Sequence, residues 1–450
     1  MAQAQIPSST PPSRGEGERA AADETVSGAA AREAELAASP ELMANTLGEY
    51  LRAWVKRVRS GDSGVLPILG GLVAIVVIFQ LQVHVFLSAL NLTNLLVQGA
   101  VFVLLGMAEI FVLLLGEIDL SVGFVAGVGA VVSAFLMAPP FNLPWFVAVA
   151  AGLASTTFIG AVQGTIITRL HLPSFVVTLA GLLGCEGLLI YIVNTSSPAS
   201  GGTIRITSVV VNDLVNGNMG VTAGWVVLTV VLVAYAATSF WRDTRRRRSG
   251  LSAPPMSLTL LKVLMTAVAG IGLVWICNSD RGILVPVTGI PWVIPAVLVI
   301  LLAFTFLQGR TRFGRYVYAI GGNSEAARRA GINLARIRTI SFALSGLTAG
   351  MAGIVYESRL GSISTGIDGG TLVLYAVAAA VIGGASLFGG RGKAVHALLG
   401  GLLIAAIYNG MGLLGLTAAP QYMITAVVLL AAVTVDAVAR RSGASRGTNP

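Results

Sequence analysis

Charge is scarce in this sequence. Of its 450 residues only 11% are Asp, Glu, Lys or Arg, against roughly 25% in an ordinary soluble domain. Hydrophobic residues make up 55%, and the mean hydropathy is +0.82. That balance excludes a soluble globular enzyme. Cysteine and histidine are scarcer still. Cys185 and Cys277 stand in or beside apolar segments without a CxxC or a His companion, and His84, His171 and His396 are scattered, which argues against a disulfide framework and a catalytic metal centre. A phosphate-cradling loop is missing as well. The nearest match, Gly389 to Ala394, has Leu387 where the opening Gly belongs and Ala394 where Ser or Thr must follow the Lys. The chain is therefore expected to bind no ATP and no metal, and to be no enzyme. A formal charge of +9 does not point to nucleic acid, because the basic residues sit in short runs between long apolar stretches.

Long apolar stretches are what the sequence has most of. A membrane-crossing helix needs about 20 mostly apolar residues, and about twelve segments meet that measure. They lie near Val65 to Phe86, Leu96 to Leu115, Ser121 to Ala138, Pro144 to Ile167, Ser174 to Asn194, Val221 to Phe240, Leu258 to Cys277, Pro291 to Gln308, Arg338 to Tyr356, Thr371 to Ser386, Ala394 to Leu416 and Ala419 to Val438. The expected fold is an all-α polytopic membrane protein embedded in the lipid bilayer. Threading from a cytoplasmic N-terminus puts Arg169 with His171, Arg242 to Arg248, Arg310 to Arg338, Arg391 with Lys393, and Arg440 with Arg441 inside, so both termini are cytoplasmic by the positive-inside rule. Trp145, Trp225, Trp241, Trp275 and Trp292 fall at or near span ends, where an indole is half wet and half in lipid. Thr195 to Gly220 and Asn278 to Ile290 lack apolar periodicity and face outside. Gly123 with Gly127, Gly160 with Gly164, and Gly346 with Gly350 and Gly353 carry the spacing that lets helix backbones approach in lipid.

Residues 1–38 read as a disordered acidic tail, with Glu16, Glu18, Asp23, Glu24, Glu33 and Glu35 and no apolar period. Residues 39–63 read as an amphipathic helix on the membrane surface: Ser39 suits an N-cap and Pro40 the first helical position, and Arg52, Lys56, Arg57 and Arg59 cluster near its end. The transmembrane region is 64–440, with a cytoplasmic loop at 309–337, and 441–450 is a second tail.

A carboxylate inside a span costs about 2.5–3.5 kcal/mol on insertion scales, which singles out Glu109, Glu117, Asp119 and Glu186. Glu117 and Asp119 lie in Gly116-Glu-Ile-Asp-Leu-Ser-Val-Gly123, a polar interruption that predicts a broken helix near Glu117–Ser121. Asp119 and Ser121 are expected either to cap the new helix or to line a pathway, since irregular backbone at membrane depth survives only where protein or a wet cavity surrounds it. The loop from Gly309 to Asn333 predicts a short helix. Asn323 or Ser324 is its N-cap, Glu325 suits its first turn, and Gly331 stops it. Alone so short a helix is marginal in water, so it calls for a docking partner. Gly383 to Gly390 shares a Gly and Ser bearing break with Gly116 to Gly123, either an internal symmetry or chance in a Gly-rich chain.

Four motifs in order carry a resemblance. Gly116 to Gly123, Leu172-Pro-Ser-Phe-Val-Val-Thr-Leu-Ala-Gly181, Tyr318 to Ile332, and Val381-Ile-Gly-Gly-Ala-Ser-Leu-Phe-Gly-Gly-Arg-Gly392 resemble the permease subunit of monosaccharide ABC importers, the ribose and xylose family. Glu117, the basic run Arg242 to Arg248 and Asn278 to Gly282 resemble its xylose branch. The resemblance implies an ABC importer permease fold in a bacterial plasma (inner) membrane, and a homodimer. It also implies a cytoplasmic ABC ATPase subunit that binds ATP and Mg, and an extracytoplasmic sugar-binding protein. It makes Gly314, Arg315, Gly322, Asn323, Glu325, Ala326, Arg328 and Gly331 the ATPase-coupling residues, and Asn94, Glu117, Asp119, Ser121, Ser174, Thr178 and Ser386 candidates for the translocation pathway. Glu186 and the acidic tail depart from the family pattern. The alternative is a proton-coupled secondary sugar transporter, which would titrate Glu117 or Asp119; a membrane scaffold that moves no solute is a third reading.

Overall fold

The structure is a computed structural model that describes residues 66–196, 202–249, 253–282 and 285–428, together with positions 48, 49, 52, 55, 430 and 434. The expected tails and most of the surface helix at 39–63 lie outside the described residues. The chain divides into two compact units, 1–62 with 229–269, and 63–228 with 270–450.

The helices are α1 (Leu66–Gln82), α2 (Ala89–Leu114), α3 (Val122–Met137), α4 (Trp145–Leu170), α5 (Ser174–Ser196), α6 (Val209–Asn216), α7 (Val221–Arg248), α8 (Met256–Asn278), α9 (Val293–Arg310), α10 (Arg312–Gly322), α11 (Ser324–Arg329), α12 (Leu334–Leu360), α13 (Gly369–Ile382) and α14 (Ala394–Leu413). A further helix, α15, covers 418–428. Among the described residues eight are long and apolar enough to cross a membrane, namely α2, α4, α5, α7, α8, α9, α12 and α14, while α1, α3 and α13 are shorter apolar helices. Each starts and ends within a few residues of a span expected from the sequence, apart from the C-terminus of α7, which runs eight residues past Phe240 to Arg248, and the N-terminus of α2, which begins seven residues early because Ser88 accepts from the Asn91 N–H and caps it.

In the second unit α2 is the central helix. Every residue from Gly99 to Leu114 is buried, as a helix apolar on all sides must be, and α9, α12, α13 and α14 pack around it. The small-residue spacing is used as expected. A Cβ on Gly160 would stand 2.2 Å from the Phe342 carbonyl oxygen, and one on Gly346 2.2 Å from that of Thr156, so α4 and α12 touch backbone to backbone and dispersion acts over their whole length.

The stretch without apolar periodicity at Thr195 to Gly220 carries two short strands and a helix. Strand β1 (Thr203–Arg205) pairs antiparallel with β4 (Ser362–Ser364), in the register Thr203 with Ser364 and Arg205 with Ser362, and β2 (Asn218–Met219) pairs with β3 (Ile290–Pro291). Between them α6 buries Val211 and Val215, and its Val215 N–H donates to Ser358 Oγ at 3.1 Å. Arg281 closes the 279–290 loop: its guanidinium donates to Gly289 O at 3.0 Å, Asn218 Oδ1 at 3.1 Å, Thr93 Oγ1 at 3.3 Å and Cys277 O. Burial pulls the Arg281 pKa below its ordinary value. In the first unit, Thr259 Oγ1 on α8 donates to the buried Asp243 carboxylate on α7 at 2.7 Å.

Candidate functional site

The first break is built by one glycine. At the end of α2, Gly116 takes a φ of +77°; its N–H donates to Leu113 O at 2.9 Å and the Glu117 N–H to Val112 O at 3.1 Å. This is the paired bond pattern of a Schellman ending. The second break ends α13 the same way: Gly384 has a φ of +108°, and Gly384 N–H and Ala385 N–H donate to Val381 O and Ala380 O, both at 2.9 Å. The two Gly and Ser bearing segments thus share a terminating device.

Around the first break polar side chains converge from three helices, α4, α5 and α12. Asp119 is buried; its Oδ1 accepts from the Ser121 N–H at 3.0 Å and the Ser121 hydroxyl at 2.6 Å, and its Oδ2 accepts from Ser345 Oγ on α12 at 3.0 Å. The expected cap is therefore a tight turn inside the break, and α3 begins at Val122 after Ser121, which makes no side-chain cap bond. Gln163 Nε2 on α4 donates to Ser121 Oγ at 3.0 Å. It reaches there because position 181 is glycine: a Cβ on Gly181 would lie 2.1 Å from that amide nitrogen, a physical reason for the Gly that closes the Leu172 to Gly181 motif. From α5, Ser174 Oγ accepts from the Ile118 N–H at 3.5 Å, and Thr178 Oγ1 donates to Ser174 O at 3.0 Å. Glu117 pairs with Arg338 on α12, Nε to Oε1 at 3.2 Å. Farther up, the buried Glu357 of α12 accepts from Ser133 Oγ on α3 at 2.6 Å.

The 309–337 loop holds two helices rather than one. Its first, α10, is N-capped by Thr311, which accepts from the Gly314 N–H at 3.1 Å, and it buries Val317 and Ile320. Its last turn meets both breaks: a Cβ on Gly321 would stand 1.8 Å from Leu114 O and 2.5 Å from Gly390 N, while the Gly390 N–H donates to Leu114 O at 2.9 Å. Tyr318 Oη donates to Gly392 O at 2.5 Å, and Gln308 Oε1 accepts from the Ala394 N–H at 2.8 Å. Burial raises the Tyr318 pKa.

Next comes α11, the short helix expected from the sequence. Asn323 is its cap, accepting from the Ala326 N–H at 2.9 Å. Gly331, with a φ of +80°, ends it, and the Gly331 and Ile332 N–H groups donate to Arg328 O and Ala327 O. All of α11 is exposed except Ala327. Glu325 pairs with Arg328 at 2.9 Å and Arg329 at 3.2 Å, and these bonds hold its carboxyl below the usual carboxylate range.

Of the candidate pathway residues, Glu117, Asp119, Ser121, Ser174 and Thr178 gather at the first break. Asn94 does not: it is exposed on α2, about 30 Å along the helix at 1.5 Å per residue. Ser386 belongs to the second break, where its buried hydroxyl accepts from the Phe388 N–H at 3.1 Å. Of the coupling residues, Asn323, Glu325, Ala326, Arg328 and Gly331 form α11, while Gly314, Arg315 and Gly322 belong to α10. Gly314 is a buried packing position whose Cβ would stand 2.2 Å from Gln308 O. Glu186 lies part-exposed on α5. Arg338, Ser345 and Glu357 were not singled out by sequence. Each lies in or beside an apolar run, and its partner is more than two hundred residues away.

Two small spaces between the helices, one lined by Tyr375, Tyr408 and Met411 and one by Leu105, Gly127 and Tyr356, each hold about 10 Å³, room for a single water and not for a sugar.

Comparison with known proteins adds the following. The family described as branched-chain amino acid transport system / permease component matches residues 91–252 and 253–433. The chain is 35% identical over 390 residues to the xylose transport system permease protein of Escherichia coli (strain K12), covering 85% of this chain and 94% of that one. It is 30% identical over 387 residues to the ribose import permease protein of the same strain, covering 86% and 95%. It is 29% identical over 366 residues to its D-allose transport system permease protein, covering 81% and 89%. No solved structure matches.

Proposed function

The chain belongs to the branched-chain amino acid transport system / permease component family, and we propose that it is the multi-pass permease subunit of an ABC importer for a monosaccharide, xylose or a similar sugar, in a bacterial inner membrane. The sugar rests on the similarity to permeases named for xylose, ribose and D-allose; the family description alone would suggest an amino acid.

The observation that carries the reading is α11. A capped, exposed, rigid element follows a helix locked by glycine against both breaks. An ATPase that seated α11 in a cleft would supply the docking partner so short a helix needs, and its closure would be passed to the broken segments instead of lost in a loose loop. ATP and Mg belong to that partner, and this subunit has no ATPase site of its own. Selectivity is assigned to an extracytoplasmic sugar-binding protein: among the described residues the polar side chains at the first break bond to one another, and the aromatic-lined space at Tyr375 and Tyr408 is too small for a sugar.

The test is reconstitution of this chain in vesicles with its ATPase and binding protein, following labelled xylose. Entry that requires cytoplasmic ATP and vanishes without the binding protein is the expected result. Entry that follows a proton gradient without the ATPase would transfer the function to Glu117 and Asp119 as titrating groups.

A further inference from the structure

We propose that Arg338 and Ser345 are positioning residues that make α12 the rod through which movement of α11 reaches the first break, the Arg338–Glu117 ion pair and the Ser345–Asp119 hydrogen bond being its two grips. The inference rests on the importer reading above and adds to it a path inside this subunit.

Three observations carry it. First, α11 and α12 are joined by a short link with both ends fixed: Gly331 closes α11, and Asn333 caps α12 by accepting from the Arg336 N–H at 3.0 Å. A displacement of α11 therefore enters α12 at its first turn. Second, Arg338 and Ser345 stand two turns apart and so on one face, about 10 Å along the axis, and both meet the same broken segment, at Glu117 and at Asp119. Third, the pair is sheltered, with Glu117 12% and Arg338 30% exposed, and Asp119 and Ser345 are fully enclosed.

Polar bonds of this kind do something that apolar packing does not. Apolar contacts are non-directional; they oppose displacement by interlocking shape and tie no particular pair of atoms together. An ion pair and a directed hydrogen bond away from bulk water resist both push and pull. The break interrupts the helical ladder between Leu114 and Val122 and is the segment that yields, while above it the close approach of Gly353 to α3, where a Cβ would stand 2.0 Å from Ala126 O, and the Glu357–Ser133 bond hold α12 to α3. Sliding of the lower part of α12 is thus delivered to Glu117 and Asp119.

The test uses the full chain reconstituted with its ATPase and binding protein, measuring ATP hydrolysis and labelled xylose entry on the same vesicles. The readout is ATP consumed per sugar delivered. Glu117→Gln and Arg338→Gln are expected to raise it about two- to fivefold, the range open to a partly sheltered pair, and Ser345→Ala to raise it about twofold. Arg338→Lys and the exchange E117R with R338E are expected to return it toward the unmodified value; where the exchange does not insert, Arg338→Lys alone decides. Loss of folded protein lowers both rates together and leaves the ratio where it was. An unchanged ratio in all three single variants overturns the proposal and leaves the importer reading standing, as does a ratio no better in Arg338→Lys than in Arg338→Gln. Absence of ATP-driven entry in the unmodified protein overturns the importer reading, and this proposal with it.

Discussion

Gly321→Ala and Gly322→Ala are adjacent and chemically identical substitutions with opposite expected outcomes. At Gly321 the new methyl would lie 1.8 Å from Leu114 O and 2.5 Å from Gly390 N. Both are backbone atoms, so no side-chain rotation relieves the clash, and the end of α10 must retreat by about 1.5 Å to reach van der Waals distance. That retreat costs about 1–3 kcal/mol as overpacking. It also pries at the Gly390 to Leu114 hydrogen bond, whose loss in a buried site adds about 1–3 kcal/mol. Together these come to about 2–6 kcal/mol. At Gly322 a Cβ meets nothing within 4 Å, and φ is not positive, so alanine there costs nothing sterically and restrains the unfolded chain, a gain of about 0.4–1 kcal/mol. The free, buried thiols of Cys185 and Cys277 provide the assay, since a thiol-reactive dye labels them only when the helices part. On heating in detergent, Gly321→Ala is expected to label roughly 5 °C earlier than the unmodified chain, and Gly322→Ala no earlier. Melting of the two variants within a degree of each other would refute the three-way contact of α10 with the breaks.

Asp119→Ala leaves the Ser121 N–H, Ser121 hydroxyl and Ser345 hydroxyl without their acceptor; the expected loss is about 2–4 kcal/mol, most of it recovered by Asp119→Asn, read by the same melting assay. Arg281→Ala strips four donors from the 279–290 loop and is expected to cost about 2–3 kcal/mol and to expose that loop to added protease; a loop as resistant as before would refute its role as the closing residue. At Glu325 the folded-state carboxyl titrates below its unfolded value, so its stabilisation of α11 is complete above the unfolded value and drains away as pH falls through the folded one. The carboxyl titration followed by NMR is expected to shift upward in the R328Q R329Q variant, and an unshifted midpoint would show that the two ion pairs do not form in solution.

Helix positions were legible because each is a long apolar run, and α11 because its whole specification is local: a cap at Asn323, an acid in the first turn and a glycine at the end. The break at Gly116 was legible as polarity out of place. What surrounds it was not, because Glu117 is joined to Arg338 and Asp119 to Ser345 by folding alone, and nothing near either residue in sequence announces the other. Helix α10 was hidden for a different reason. Gly314, Gly321 and Gly322 lower its intrinsic propensity, and it exists because Val317 and Ile320 are buried and the glycines permit contact with other segments. The Val209–Asn216 helix carries three consecutive β-branched residues, which favour a strand; Ser208, accepting from the Val211 N–H, was the one local sign of its cap.

The small ribbon of β1 and β4 sets an order on how the protein is made. Its strands pair across about 160 residues of chain, with seven of the described helices between them. At about 5–20 residues per second, the Thr203–Arg205 segment leaves the ribosome roughly 10–30 s before Ser362–Ser364 exists. Throughout that interval its backbone donors and acceptors are satisfied by water, as an open sheet edge. Closure of the ribbon is therefore a late step of biogenesis that reports the arrival of α12, and a nascent chain stalled before Ser362 would present a free edge to the quality-control proteases of its compartment.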